Sequence, residues 1–181
     1  VKLGRRFMER FYYRLLPAGG HIFGAVAYVD ARPAGFIAAT TDSDGFMGRA
    51  ARKHFVRVAW LLAPAVWRPG VVSARWEAWK IMGSRGEAPK AGRRGEVLSI
   101  GVLPEYRGRA FRERTGTHIA QVLLDYAMQE LNRRGAFPVV TVVDEDNHRS
   151  RSFFECAGFE LRERSLPGWK APSIEYIRDL P

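Results

Sequence analysis

The sequence predicts an α/β protein in which crossover helices pack on a central β-sheet. Of its 181 residues, 46% are hydrophobic and 12% are aromatic, which is enough to build the core of one compact domain. From residue 96 onward, the apolar pattern alternates strand, helix, strand, helix, strand, as crossover connections require. The N-terminal part adds a helix and a hairpin pattern. We therefore expect a single domain over residues 1–181.

The N-terminal elements follow from residue periodicity. Apolar residues recur at helical spacing over Leu3–Leu16, with arginines on the other faces, which predicts an amphipathic helix. Two strands, Ile22–Asp30 and Phe36–Thr41, are expected next, joined by the loop Ala31–Gly35 with its proline and glycine.

Residues 46–95 have the character of an insertion. Helices are expected over Phe46–Ala63 and Val71–Met82, and Gly83–Gly95 is a basic, glycine-rich connector. Four of the five tryptophans are Trp60, Trp67, Trp76 and Trp79. This Trp-rich helical insertion is open to four interpretations: core packing on the sheet, an acceptor pocket, a dimer interface, or a membrane-surface contact beside its arginines.

The segment after the connector predicts a site for a phosphorylated ligand. An apolar strand ending at Val102 turns at Pro104 into a glycine- and arginine-rich loop, and Gly116 with Thr117 is expected to open an amphipathic helix. Small residues let backbone N–H groups approach an anion, and the helix N-terminus adds positive potential. The loop residues concerned are Arg107, Gly108, Arg109, Ala110, Arg112 and Arg114. The alternative is a basic turn on a solvated surface.

The rest of the chain continues the alternation. The long helix is expected to bury one stripe and to end at Arg133–Gly135; the stripe comprises Ile119, Val122, Leu123, Tyr126, Ala127 and Leu131. A buried strand Val139–Val143, a helix His148–Ala157 and a strand from Phe159 follow.

Three segments, VLPEYRGRA, GTHIAQVLLDYAMQELNRRG and VVDEDNHRSRSFFECAGF, together resemble the GNAT superfamily of acyl-CoA-dependent N-acyltransferases. The spacing from Asn147 through Phe153 and Phe154 to Gly158 and Phe159 is the most specific part. The resemblance implies a GNAT-like central mixed β-sheet, an acyl-CoA-binding core over residues 96–159, and acetyl transfer to a primary amine. The family's first strand has no counterpart in the sequence as given, so either the given sequence begins after that strand or the sheet is short by one edge.

The resemblance also implies roles for individual residues. The strand at residues 99–103 is expected to splay at a bulge suited to Gly101, so that pantetheine pairs with Ile100 and Val102 and the Val102 N–H binds the acyl oxygen. Glu96 lies where many relatives place a glutamate base, with Leu98 and Ile100 as its alternate partners on the pleat. Equally, Glu96 can be a strand-end carboxylate paired with Arg93 or Arg94; Asp144 and Glu145 are the other candidates.

Further contacts to acetyl-CoA are implied for Gly116, Thr117, Asn147 and Phe154, although Asn147 can equally cap the helix that follows it. The sequence departs from the family's pattern at three places. Glu105 takes the first place of the loop motif, and residues 111–115 lengthen the loop. Phe154 stands where a tyrosine often protonates the departing thiolate, and a phenylalanine has no proton to give. A catalytically impaired acyl-CoA-binding homologue is therefore an alternative function.

The charge balance favours anionic partners. Twenty-nine Lys and Arg against nineteen Asp and Glu give a net charge of +10. A nucleic-acid or anionic-surface binder is the alternative from another class, but the basic residues are dispersed and form no recognition motif. The amine acceptor, whether a small molecule, a peptide or a protein, is not encoded in any motif.

Cysteine and histidine usage bears on metals and compartment. The single Cys156 is expected to be buried in its helix, and the four histidines have no metal-ligand spacing, so no metal is expected. No secretory leader and no transmembrane stretch is recognised, which predicts a cytoplasmic protein. An exposed aromatic surface would favour a homodimer.

Overall fold

The computed structural model describes residues 14, 16–20, 22–45, 93–164 and 172–179. The chain divides into two units, Val1–Ile22 with Asp44–Lys90, and Phe23–Ser43 with Ala91–Pro181. The first unit contributes one short described helix, α1 (Leu16–Ala18). The predicted helix Leu3–Leu16 lies outside the described residues except at its end, and so does the Trp-rich insertion.

The second unit contains one mixed sheet of six strands in the order β1-β2-β3-β4-β6-β5. Neighbouring strands are antiparallel, except that β3 and β4 are parallel. The sheet and its flanking helices confirm the predicted fold class. The strands are β1 (Phe23–Val29), β2 (Arg32–Thr40), β3 (Gly95–Val102), β4 (Val139–Asp144), β5 (Glu160–Arg164) and β6 (Ser173–Arg178).

The hairpin of β1 and β2 is tighter than predicted. Asp30 and Ala31 have φ angles of 48° and 61° and form a two-residue turn, whose left-handed backbone suits the twist of the strands. The expected loop Ala31–Gly35 is therefore wrong after its first residue, because the segment from Arg32 to Gly35 belongs to β2. A bulge absorbs the irregular Pro33–Gly35 region, since Tyr28 pairs with Pro33 and Ala27 with Gly35.

Four helices accompany the sheet: α2 (Pro104–Arg107), α3 (Arg109–Thr115), α4 (Ile119–Arg133) and α5 (His148–Cys156). The predicted buried stripe of α4 is partly right. Ile119, Leu123, Ala127 and Leu131 are buried, and so is Leu124, which was not predicted. Val122 and Tyr126 are 52% and 44% exposed, so these two predictions are wrong.

Helices α4 and α5 pack on one face of the sheet, which we call the helix face. Val97, Val139, Val143, Ile174 and Tyr176 on this face share a core with residues of both helices. The opposite face is called the far face below. Side chains alternate between the two faces along a strand. The strand residues next to these core residues therefore lie on the far face.

Tyr176 anchors α5 to the sheet. Its hydroxyl donates to Glu155 Oε1 at 2.6 Å and accepts from Arg151 Nε at 3.3 Å, while the residue is only 1% exposed. Burial, together with the bond to Glu155, raises the pKa of the Tyr176 hydroxyl above its usual value of 10.0. Arg151 also donates to the Glu145 carbonyl at 3.0 Å, which ties the turn after β4 to the same network.

Candidate active site

A wedge-shaped gap opens between the two parallel strands. β3 and β4 pair only over Gly95–Val97 and Val139–Thr141. Beyond that point β3 continues to Val102 beside β2, while β4 continues to Asp144 beside β6. The predicted splay of β3 is therefore confirmed, and it exposes strand edges that can pair with a ligand.

The bulge that accompanies the splay lies at Leu98. Ser99 pairs with Ala38 and Val97 pairs with Ala39, so Leu98 is the extra residue of β3. The expectation that Gly101 forms the distortion is wrong. Gly101 has a different reason to be glycine, because a Cβ there would lie 2.7 Å from Cε1 of Phe36. The Phe36 ring thus packs directly on Gly101, its partner across β2 and β3.

Thr141 stands at the point where the strands part, and sequence reasoning missed it. Its hydroxyl donates to the Val97 carbonyl at 3.1 Å, and the residue is 3% exposed. The bond joins the last paired residues of β3 and β4 on the core side of the sheet. A threonine in the middle of the apolar run from Val139 to Val143 was the available signal, because a buried hydroxyl needs a partner.

Replacing Thr141 with valine is expected to destabilise the fold. The substitution keeps the shape but leaves the buried Val97 carbonyl without this donor, at a cost of about 1–3 kcal/mol. Urea unfolding of the two proteins measures the difference. Thr141→Ser is the control, since it keeps the hydroxyl and loses only one methyl group, about 0.8 kcal/mol. A Thr141→Val protein as stable as the parent would contradict a stabilising role for the bond.

Ile100 and Val102 present their backbone polar groups to the gap. The Leu103 N–H donates to the Ala34 carbonyl of the hairpin at 2.8 Å. The N–H and C=O groups of successive strand residues point to opposite sides. Since those of Leu103 point toward β2, the N–H and C=O groups of Val102 and Ile100 point away from β2. Their side chains lie on the helix face; a Cβ on Gly35 would touch both Val102 Cγ2 and Leu123 Cδ1 at 3.2 Å.

Glu96 lies on the far face, because a Cβ on its neighbour Gly95 would meet Leu131 of α4 at 3.0 Å. The bulge then shifts the alternation by one residue. Ser99 and Gly101, rather than Leu98 and Ile100, continue the face of Glu96, so the predicted alternate partners are wrong. Glu96 is half-buried and pairs across the strands with Thr40.

The other charged candidates have contacts or positions of their own. Arg94 donates to Glu175 Oε1 at 3.3 Å, and Arg162 donates to the same oxygen at 3.0 Å. Asp144 is exposed at the end of β4, on the opposite flank of the gap from β3. The Glu145 N–H donates to the Pro172 carbonyl at 2.9 Å, which holds that residue in the turn.

The expected glycine- and arginine-rich loop is largely helical, which corrects the prediction. α2 and α3 occupy most of the segment, because Pro104 suits a first helical turn and no helix breaker follows Gly108 until Gly116. Gly108 separates the two helices with φ of −76°, and a Cβ there would find nothing within 4 Å. Neither its backbone angle nor its packing requires glycine. Ala110 is exposed in the first turn of α3.

Gly116 and Thr117 form the turn between α3 and α4. Gly116 has φ of 66° and donates to the Arg112 carbonyl at 2.7 Å, as a helix C-cap does. The Thr117 N–H donates to Thr115 Oγ1 at 3.2 Å. Both backbone donors therefore have protein partners. α4 begins at Ile119 and not at Gly116–Thr117 as predicted, so its first free N–H groups belong to the residues from Ile119 onward.

His118 is the residue immediately before α4, and sequence reasoning gave it no role. Burial lowers the pKa of its imidazole below 6.5, and the positive charge of Arg112 lowers it further. Its ring contacts Phe153 of α5 edge-on, with centroids 6.0 Å apart. The contact joins the start of α4 to α5.

The arginines of this region differ in their contacts. Arg107 is exposed, and Arg109 donates to Glu113 Oε1 at 2.7 Å on the surface of α3. Arg114 lies over the Phe111 ring at 5.7 Å, and the Phe111 side chain is buried in the core. An anion bound by Arg109 would have to compete with Glu113, but exposed pairs of this kind contribute little.

The residues of α5 give one confirmation and one correction. Asn147 Oδ1 accepts from the Ser150 N–H at 3.2 Å, so the capping interpretation of Asn147 is confirmed. Phe154 is 3% exposed, and its ring contacts Phe153 and Phe159 at centroid distances of 5.2 and 5.3 Å. Cys156 is exposed at the end of the helix, contrary to the prediction that it is buried.

Two kinds of feature are absent from the described part of the chain. Within it, no three His, Cys, Asp or Glu side chains are grouped as metal ligands. No helix among the same residues combines the length and apolarity that crossing a membrane requires.

Three of the solved structures that are similar to this chain illustrate the likeness. An acetyltransferase from Thermus thermophilus shares 13% identity at a TM-score of 0.52, over 91% of this chain and 68% of the other. PaiA N-acetyltransferase from Thermoplasma acidophilum, in complex with coenzyme A, shares 13% identity at a TM-score of 0.51. The match covers 91% of this chain and 65% of the other. Arabidopsis thaliana Naa50, in complex with the bisubstrate analogue CoA-Ac-MVNAL, shares 14% identity at a TM-score of 0.53. The match covers 95% of this chain and 81% of the other.

Identities this low show a common fold alone, and this chain spans about two thirds of the length of the first two proteins. No curated protein matches the sequence. The family relationship rests on the sequence, since residues 3–159 match the acetyltransferase (GNAT) family. Because the match covers well over half of the 181 residues, the chain belongs to the acetyltransferase (GNAT) family.

Proposed function

We propose that this protein is an N-acyltransferase that transfers an acetyl group from acetyl-CoA to a primary amine by direct attack. The observation that carries the proposal is the gap between β3 and β4, into which strand alternation directs the Val102 N–H. Membership in the acetyltransferase family supports the reaction class. The similar PaiA and Naa50 structures contain coenzyme A or a CoA-based analogue.

The pantetheine arm is proposed to pair with the free edge of β3. Its amide groups can bond the backbone of Ile100 and Val102 as a neighbouring strand would. This places the thioester near the wide end of the gap, where the Val102 N–H donates to the acyl oxygen. A donor fixed in this way stabilises the negative charge that develops on that oxygen during attack.

The phosphates of acetyl-CoA are proposed to lie beside Gly108 and the N-terminus of α4. Open space at Gly108 and the exposed side chains of Arg107 and Arg109 favour an anion there. The N–H groups of Gly116 and Thr117 already have partners, so we assign these two residues to shaping the turn. Contacts of Asn147, Ala110 and Phe154 with the co-substrate remain predictions.

Glu96 is proposed as the base. The amine nitrogen attacks the thioester carbon, the C–S bond breaks, and Glu96 accepts the proton that the nitrogen loses, directly or through water. The CoA thiolate is the leaving group. Phe154 cannot protonate it, so the thiolate leaves unassisted or takes a proton from solvent.

Calorimetric titration of acetyl-CoA into the protein tests the proposal, with dephospho-CoA and NAD as controls. We expect binding in the micromolar range, weaker for dephospho-CoA and absent for NAD. No heat with acetyl-CoA would contradict the proposed site.

Phe154 favours a second candidate function, an acyl-CoA-binding protein with little catalytic turnover. Its ring is packed into the core where a proton-donating tyrosine is expected in many relatives. Tight acetyl-CoA binding, combined with negligible release of CoA thiol across a broad amine panel, would favour this function over catalysis.

A further inference from the structure

The hydroxyl of Ser99 is unusual among the buried polar groups. Its Oγ is inaccessible to solvent and has no hydrogen-bond partner among the residues that the structure describes. Buried hydroxyls are nearly always bonded, and an unbonded one destabilises the fold that contains it. Because the Ser99 hydroxyl lowers the stability of the fold, we looked to function for its explanation.

The position of Ser99 suggests that explanation. It is the first residue after the Leu98 bulge, on the stretch of β3 that no longer pairs with β4. It pairs with Ala38 of β2, so its backbone is held firmly on that side. The bulge turns its side chain to the far face, together with Glu96.

Without the bulge, Ser99 and Glu96 would lie on opposite faces, because they are an odd number of positions, three, apart along the strand. With Leu98 as the extra residue, the two side chains become neighbours on one face, about 7 Å apart along the backbone at two strand steps. At this spacing, one nitrogen atom can reach both a carboxylate oxygen and a hydroxyl oxygen.

We infer that Ser99 is an acceptor-binding residue. Its hydroxyl oxygen accepts a hydrogen bond from one N–H group of the attacking amine, while the Glu96 carboxylate accepts a hydrogen bond from the other. The inference rests on the proposed function and adds a residue to it. A neutral primary amine has two N–H groups and one lone pair. Fixing both N–H groups on the far face turns the lone pair toward the thioester carbon at the Val102 N–H, which is the geometry that attack requires.

Ser99→Ala tests the inference because it predicts two effects of opposite sign. The melting temperature should rise by about 2–4 °C, because an unbonded buried hydroxyl is removed. Activity is measured with a panel of four amines: glycinamide, phenethylamine, spermidine and an α-N-acetyl-lysine amide. For the amine that the parent acetylates fastest, kcat/KM of Ser99→Ala should fall about tenfold. The dissociation constant of acetyl-CoA should not change. Ser99→Thr, which keeps a hydroxyl, should retain most of the activity.

The outcomes separate this inference from the proposed function. If the parent transfers acetyl groups and Ser99→Ala does so equally well, the role of Ser99 is overturned and the function stands. A lower melting temperature for Ser99→Ala would also overturn it, since the hydroxyl would then be bonded within the fold. If the parent binds acetyl-CoA but acetylates no amine of the panel, the proposed function fails, and the acceptor role of Ser99 fails with it.

Discussion

Gly108→Glu is expected to abolish acetyl-CoA binding and to leave the protein folded. The new carboxylate would stand between Arg107 and Arg109, where we place the phosphates. At a separation of about 4 Å and an effective dielectric constant of about 20, repulsion between two unit charges is about 4 kcal/mol. That energy corresponds to about a thousandfold loss of affinity.

The structure makes this substitution easy to interpret. Gly108 has an ordinary φ angle of −76°, and a side chain there would meet no atom within 4 Å. It is also the N-cap of α3, where a negative charge is favoured by the helix dipole. Calorimetry measures the binding and thermal unfolding measures the stability. Gly108→Ala is the matched control and should bind acetyl-CoA like the parent. Unchanged affinity in Gly108→Glu would mean that the phosphates lie elsewhere.

Glu96→Gln is expected to lower kcat by about 10²–10⁴-fold with little change in the affinity for acetyl-CoA. Glutamine has the same shape as glutamate but cannot accept the proton of the amine, which is the step assigned to Glu96. Steady-state kinetics of CoA thiol release measure kcat, and calorimetry measures the affinity.

Asp144→Asn is the comparison for Glu96→Gln, because Asp144 flanks the other side of the gap. We expect it to retain most of the parent's activity. An active Glu96→Gln protein beside an inactive Asp144→Asn protein would transfer the role of base to Asp144.

Local patterns were sufficient to predict much of the sheet and α5. The strand before Pro104, the buried run from Val139 and the helix His148–Ala157 all have strong periodicity and clear ends, and the structure contains each of them within about one residue. Asn147 and Gly158 delimit α5 by capping chemistry that is written in adjacent residues. The splay of β3 came instead from the family resemblance.

The features that could not be predicted depend on distant partners. The position of the bulge is set by how β3 registers against β2, and no residue near Leu98 encodes it. The strand Ser173–Arg178 went unrecognised because it is short, follows Pro172 and carries charged residues; it pairs between β4 and β5, which are both earlier in the chain.

The strand that carries the proposed site was predicted, and its local geometry was corrected. Val102 and Ile100 could be located because they belong to a strand with strong signals. The face that Glu96 shares with Ser99 could not, since one extra residue inverts the alternation. The arginine-rich segment was expected to be a loop because of its glycines, yet the stretch from Arg109 to Thr115 has helix-forming residues and an i,i+4 ion pair between Arg109 and Glu113.

The short parallel junction has a thermodynamic consequence. Three residue pairs and the Thr141 bond join an antiparallel half formed by β1, β2 and β3 to another formed by β4, β6 and β5. If pantetheine pairs with β3 as proposed, the co-substrate adds hydrogen bonds to the part of β3 that β4 leaves unpaired. Binding and folding are then linked: at 100 times its dissociation constant, a ligand specific for the native state adds about 2.7 kcal/mol to the stability. The protein would then be most rigid when acetyl-CoA is bound.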